Sequence, residues 1–177
     1  ICSGMGVSRS MPFGACRDVI PEGIPVIMDY AFILNGYHMD MTRMASRGKP
    51  TESVLRAYNA MLKVQETVIK NLLPGIAWKD IYELSENLAG KLGYSDVFMG
   101  NDREKVRFVG HGVGLQLDEP PYLAPKCEQI IGAGMTIAVE PKTSLPGIGV
   151  VGIEDTFLVT DDGAKCLTEG SREWIIF

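Results

Sequence analysis

Residues 26–44 read Val26-Ile27-Met28-Asp29-Tyr30-Ala31-Phe32-Ile33-Leu34-Asn35-Gly36-Tyr37-His38-Met39-Asp40-Met41-Thr42-Arg43-Met44. The first part is apolar and strand-like, with an acid in its middle. Asn35-Gly36 is a strong hairpin signal, because a two-residue turn of this kind needs residues that tolerate positive φ. A returning strand then runs from about Tyr37 to Met44. With a two-residue turn, opposed residue numbers sum to 71, so Asp40 faces Ala31. Side chains alternate along a strand, so Asp29 shares the face of Ala31. Asp29 and Asp40 are therefore diagonal neighbours on one face, about 7–8 Å apart at the backbone. Two like charges placed there repel, and a cation between them is the natural remedy. Either acid alone would more simply pair with Arg43 or cap a turn; the pair on one face favours a metal.

Outward from the hairpin, residues 1–24 are rich in Gly, Pro, Ser and Arg and read as loop with short extended pieces. Thr51 suits a helix N-cap. Leu55, Tyr58, Leu62, Thr67 and Ile69 to Leu72 keep near-helical spacing, which predicts an amphipathic helix over 52–72, stopped by Pro74-Gly75. Trp78, Ile81, Tyr82, Leu84, Leu88 and Leu92 predict a second helix over 78–92, ended by Gly93. Beyond it the candidate strands are 106–109, 114–117, 135–139 and 150–159, with a turn at Asp161-Asp162-Gly163. Hairpin, two helices, then strands make an α+β order. The sheet is expected to be curved and mainly antiparallel, with the helices on its convex face.

Three more places carry chemistry. His111, one of two histidines, lies in Gly110-His111-Gly112-Val113-Gly114, where glycines let backbone come close. A lone histidine is more often structural. A phosphate loop is disfavoured, since no helix follows and Pro120-Pro121 comes soon after. Glu140 ends the apolar run Met135-Thr136-Ile137-Ala138-Val139, and Glu154 interrupts Val150-Val151-Gly152-Ile153. Asp29, Asp40, Glu140 and Glu154 with His111 make a set suited to hard or borderline divalent metals. Four carboxylates carry −4, which two divalent cations would balance.

Composition narrows the partners. The 177 residues and 46% hydrophobic content suit one compact domain with a sizeable core, and 17 basic against 22 acidic residues leave a net charge of −5. That charge gives no electrostatic footprint for nucleic acid, and no basic cluster or long apolar run points to a membrane. Cys2, Cys16, Cys127 and Cys166 form no CxxC pair and read as reduced thiols in a cytoplasmic protein. The chain begins at Ile1 without a signal-peptide pattern. An N-terminal part is expected to be missing, which would leave apolar surface for a partner chain to cover.

Asp29, a second Asp eleven positions on in Asp40-Met41-Thr42-Arg43, then Gly110-His111-Gly112-Val113-Gly114, Glu140-Pro141 and Ile153-Glu154-Asp155 resemble the pita-bread metallopeptidases. That family comprises methionine aminopeptidase, prolidase and aminopeptidase P, and Gly36-Tyr37 with Gly152-Ile153-Glu154-Asp155 places the resemblance nearest the Xaa-Pro branch. The resemblance covers the whole chain, so 1–177 would be a C-terminal catalytic-type domain. It implies two divalent ions, Mn, Co, Fe or Zn, with manganese among them. Asp29 and Asp40 would hold one, His111 and Glu140 would complete the other, and Asp40 and Glu154 would bridge. A water between the ions would be the nucleophile, with Glu140 moving its proton. The implied substrate is a small Xaa-Pro peptide, and the implied assembly a homodimer.

Three positions depart from the family. Phe13 and Asp118 stand where it has histidines that bind substrate and steady the tetrahedral intermediate, and Gly152 stands where the Xaa-Pro branch tends to have Arg. If it points into the site, Asp118 would act as an added ligand, pair with a cation or, least favoured beside cations, stay protonated; if it does not, it would cap the turn before Pro120. These departures keep two alternatives open: a small non-peptide substrate, or a catalytically weakened binding module. His38 is expected at the surface or behind the site.

Overall fold

The computed structural model describes residues 1–6, 17–101 and 105–177. Phe13 and Cys16 lie outside the described residues. The hairpin forms as its turn chemistry requires: β2 (Val26–Leu34) pairs antiparallel with β3 (Tyr37–Ser46), with Ala31 opposite Asp40 and Asp29 opposite Thr42. Asn35 and Gly36 both take positive φ, 52° and 87°, as a type I′ turn demands. β1 (Cys2–Ser3) flanks β2, and β11 (Ile175–Ile176) runs parallel to β3 on the other edge.

α1 (Glu52–Asn71) starts at Thr51, whose side chain accepts from the Val54 N–H. Its buried face runs through Val54, Ala57, Tyr58, Met61, Val64 and Val68, the i, i+3/i+4 stripe of a half-buried helix. α2 (Trp78–Lys91) packs beside it and stops before Gly93, which has φ 89°.

The second half builds a five-stranded antiparallel sheet in the order β10-β9-β6-β4-β5. Its strands are β4 (Gly110–Gly112), β5 (Glu119–Tyr122), β6 (Thr136–Val139), β9 (Asp155–Thr160) and β10 (Gly163–Cys166). A two-stranded pair, β7 (Lys142–Leu145) with β8 (Gly149–Gly152), completes the framework. α1 packs on β6, β7, β8 and β10. Ile137, Val139, Val151, Ile153, Phe157 and Val159 meet the helices in one core. Each such side chain, fully buried, contributes on the order of 1.5–3 kcal/mol.

This core explains the site. Strand side chains alternate, so the residues following Val139 and Ile153, which face the helices, are Glu140 and Glu154, which face away. Asp155 turns back under the helices, where Arg43 Nη2 donates to it at 2.7 Å and Arg172 Nε lies 3.1 Å away. Arg43 thus serves Asp155, not the two hairpin acids.

Two expected strands are absent. Residues 106–109 and 114–117 are irregular, and the glycine-flanked segment between them, β4, is the strand. Gly110 and Gly112 have no side chains to compete with their neighbours: a Cβ at Gly110 would run into the Ala138 carbonyl oxygen, and one at Gly112 would come within 2.8 Å of the Glu119 carbonyl oxygen. The expected strand over 150–159 divides into β8 and β9, because Glu154 bridges to Thr42 of β3 instead of continuing either ladder. β2 is less buried than its apolar sequence suggested. Phe32, Ile33 and Leu34 are exposed, and so is Tyr37 across the turn.

Candidate metal centre

The five acids and histidine singled out in the sequence meet around two nitrogens. One is His111 Nε2. Its ring is set by Nδ1, which lies 3.0 Å from the Gly112 carbonyl oxygen. A carbonyl only accepts, so Nδ1 carries the proton and Nε2 is left to face the carboxylates. Around Nε2 lie Asp118 Oδ1 at 3.2 Å, Glu140 Oε1 at 3.5 Å, Asp40 Oδ2 at 3.9 Å and Glu154 Oε1 at 4.0 Å. Asp40, His111 and Glu154 are buried, and each offers a ligand atom such that the three lie within 4.8 Å of one another. That spacing lets a single cation reach all three.

The other nitrogen is Lys142 Nζ. It lies 2.7 Å from Glu140 Oε2, 2.9 Å from Asp29 Oδ2 and 3.2 Å from Glu154 Oε2. Asp29 is therefore not in the buried triad; its side chain is 46% exposed and turned to the lysine. Sequence reasoning passed over Lys142. No local motif marks it, since its direction is set by its pairing with Gly152 across β7 and β8.

Neighbouring groups hold the acids in place. Thr42 Oγ1 donates to Glu154 Oε2 at 2.7 Å, and Thr156 Oγ1 lies 3.1 Å from the Asp40 N–H as its acceptor. Arg43 Nη1 donates to the Glu154 carbonyl at 2.8 Å, so the Arg43–Asp155 pair also fixes the backbone at the site. Gln65 of α1 donates to Val139 O and reaches Asp155, tying the helix to the strand that leads into Glu140. His38 bonds the Gly114 carbonyl through both its backbone N–H and its ring, tying the hairpin to the histidine loop.

The electrostatics are those of a crowded acidic pocket. Burial raises the Asp40 carboxyl to about 6, with Asp29 adding to the rise and His111 and Lys142 opposing it. Burial, only partly offset by Lys142 and reinforced by Glu140, Asp40 and Asp29, raises Glu154 to about 8. Burial alone would lower Lys142, but Glu140, Glu154 and Asp29 outweigh it and hold the ammonium well above the ordinary lysine range. Buried carboxylates pushed towards protonation are short of positive charge, and a divalent cation at Asp40, His111 and Glu154 fits that shortage.

Asp118 points into the site, not away from it. Beyond it, Phe108, Tyr122 and Ala124 line an open, largely apolar pocket of about 440 Å³, and the Phe108 ring stands edge-on to His111 at 6.0 Å.

The sequence model of metallopeptidase family M24 matches residues 2–161. The chain belongs to metallopeptidase family M24. This M24 chain is 33% identical over 169 residues to an Xaa-Pro dipeptidase of Pyrococcus furiosus, covering 95% of the chain and 47% of the relative. It superposes on the crystal structure of a dipeptidase from Pyrococcus horikoshii OT3 with a TM-score of 0.88 and 32% identity, over 99% of this chain and 47% of that one. A methionine aminopeptidase structure from Thermotoga maritima matches with a TM-score of 0.73 and 26% identity, over 96% and 72%. The pita-bread M24 fold is thus the fold of this chain, which spans about half the length of the two Pyrococcus relatives. Among the described residues no helix is long and apolar enough to cross a membrane.

Proposed function

We propose that residues 1–177 are a catalytic-type domain that hydrolyses short peptides of the Xaa-Pro class with a divalent metal. The observation that carries this is the buried Asp40–His111–Glu154 triad, its donor atoms within 4.8 Å of one another on an M24 framework. The substrate class rests on the Xaa-Pro dipeptidase relative and on the apolar pocket beside the triad, whose Phe108, Tyr122 and Ala124 suit a compact ring.

Mixed carboxylate and imidazole donors suit Mn, Co, Fe or Zn. The chemistry supplied by a bound divalent cation is Lewis acidity toward water and the scissile carbonyl. The chain does the rest. Asp40, His111 and Glu154 hold the charge in place. Glu140, with Oε1 towards His111 and Oε2 on Lys142, is the proton carrier. Asp118 faces the same space with a carboxylate where an oxyanion would prefer a donor, which favours the second reading, a small non-peptide substrate on the same site. Asp29, Asp40, Glu140 and Glu154 carry four carboxylates, and Lys142 already sets one positive charge among three of them.

The setting we propose is cytoplasmic, in keeping with the free thiols of Cys127 and Cys166, and the assembly a homodimer. The exposed hairpin tip, Phe32, Ile33, Leu34 and Tyr37, offers apolar surface for a second copy to cover.

The test is hydrolysis of an Xaa-Pro dipeptide panel by metal-stripped protein, before and after adding Mn²⁺. Cleavage that appears with Mn²⁺ and is lost on chelation supports the reading. Metal binding without cleavage of any dipeptide would move the assignment to the non-peptide substrate.

A further inference from the structure

The acidic pocket has two cation positions, and one already holds a cation. An ammonium has three N–H donors. Lys142 Nζ has an acceptor for each: Glu140 Oε2 at 2.7 Å, Asp29 Oδ2 at 2.9 Å and Glu154 Oε2 at 3.2 Å. These carboxylates come from three parts of the chain: β2, the end of β6 and the end of β8. The lysine side chain is only 16% exposed, so its charge is committed to the pocket, not to solvent.

The lysine's path is built into the backbone. Lys142 and Gly152 are paired residues of β7 and β8. A Cβ at Gly152 would come within 2.5 Å of Lys142 Cγ and 2.8 Å of the Pro141 carbonyl oxygen. No side chain fits at 152 while the lysine stem crosses there. The absence of a Cβ gives the stem its route to the three carboxylates.

We propose that the Lys142 ammonium permanently occupies the Asp29–Glu140–Glu154 position, so that the chain takes one divalent ion, at Asp40, His111 and Glu154. The inference rests on the metal-dependent reading above. It assigns Asp29 to the lysine and leaves Glu140 one oxygen for the lysine and one for the ion's side of the pocket. Glu154 is shared in the same way, Oε2 to the lysine and Oε1 towards His111.

The test counts ions. The full chain, stripped by chelation and then saturated with Mn²⁺, is compared with Lys142→Met and Lys142→Gln by calorimetric titration and by metal analysis after gel filtration, with circular dichroism as the check of folding. The expected result is one Mn²⁺ per native chain and two per folded variant chain. Two ions in the native chain would overturn the inference while leaving the metal-dependent reading intact, and one ion in a folded variant would overturn it as well. No ion in any of the three would overturn both. The native count decides alone should neither variant fold: one ion supports the inference and two overturn it.

Discussion

Thr42 and Glu154 hold each other twice, by the Thr42 Oγ1–H donating to Glu154 Oε2 at 2.7 Å and by a backbone bridge in which Thr42 N–H donates to Glu154 O at 3.2 Å. The hairpin thereby aims an acid that belongs to the other half of the chain. Thr42→Val keeps the shape and the backbone bridge but removes the hydroxyl from Oε2, leaving that oxygen to Lys142 alone. Expected is a loss of roughly 10- to 100-fold in Mn²⁺ affinity, the usual cost of removing a group that orients a ligand. Calorimetric titration measures it; an unchanged affinity would show that the hydroxyl does not orient Glu154.

The metal-free chain should become less stable as pH rises. Asp40 and Glu154 have their carboxyls raised to about 6 and about 8 in the folded state, above their values in an unfolded chain. Between those limits the folded state holds protons that the unfolded state has released, so the slope of stability with pH is negative. Their contribution is fully present below the ordinary carboxyl range, near pH 4, and is lost progressively up to pH 8. Melting temperatures in chelator should fall from pH 5 to pH 8, and Mn²⁺ should raise them most at the upper end. A melting temperature that climbs with pH in chelator would contradict this.

Asp155 is a structural anchor whose loss should be expensive. It is fully buried between Arg43 and Arg172 and also accepts from Thr168 Oγ1 at 2.9 Å. Asp155→Ala leaves Arg43 buried without its charge partner. Breaking a buried pair in this way costs about 3–5 kcal/mol. Urea unfolding should show a loss of that size, against less than about 1 kcal/mol for Glu52→Ala, which removes the exposed Glu52–Arg56 pair.

The hairpin register was legible because turn chemistry fixes it: Asn35-Gly36 set Asp40 opposite Ala31, and the diagonal relation to Asp29 followed. Both helices were legible from their apolar stripes. β4 was not, since Gly110-His111-Gly112 has no strand propensity and becomes a strand only because Ala138 and Tyr122 pair with His111 on either side. Lys142 was invisible for a related reason. Nothing in Glu140-Pro141-Lys142 says where an ammonium will point; the register with Gly152 does, and that register is tertiary.

Asp118 stands 3.2 Å from His111 Nε2, where an ionised carboxylate repels a developing oxyanion. Asp118→His supplies a donor there. It should raise the turnover of Xaa-Pro dipeptides, with a gain on the order of 10²-fold if that contact limits the reaction. Steady-state kinetics on the metal-loaded native chain and variant decide it, and an equal or lower kcat in the variant would show that Asp118 is not what limits hydrolysis.

Anomalous diffraction from crystals of the Mn²⁺-saturated chain tests the metal site most directly. The result expected is one peak per chain, at coordinating distance from His111 Nε2 and from oxygens of Asp40 and Glu154, with Lys142 Nζ still among Asp29, Glu140 and Glu154. No peak among those three residues, at an Mn²⁺ concentration that saturates the protein in solution, would contradict it.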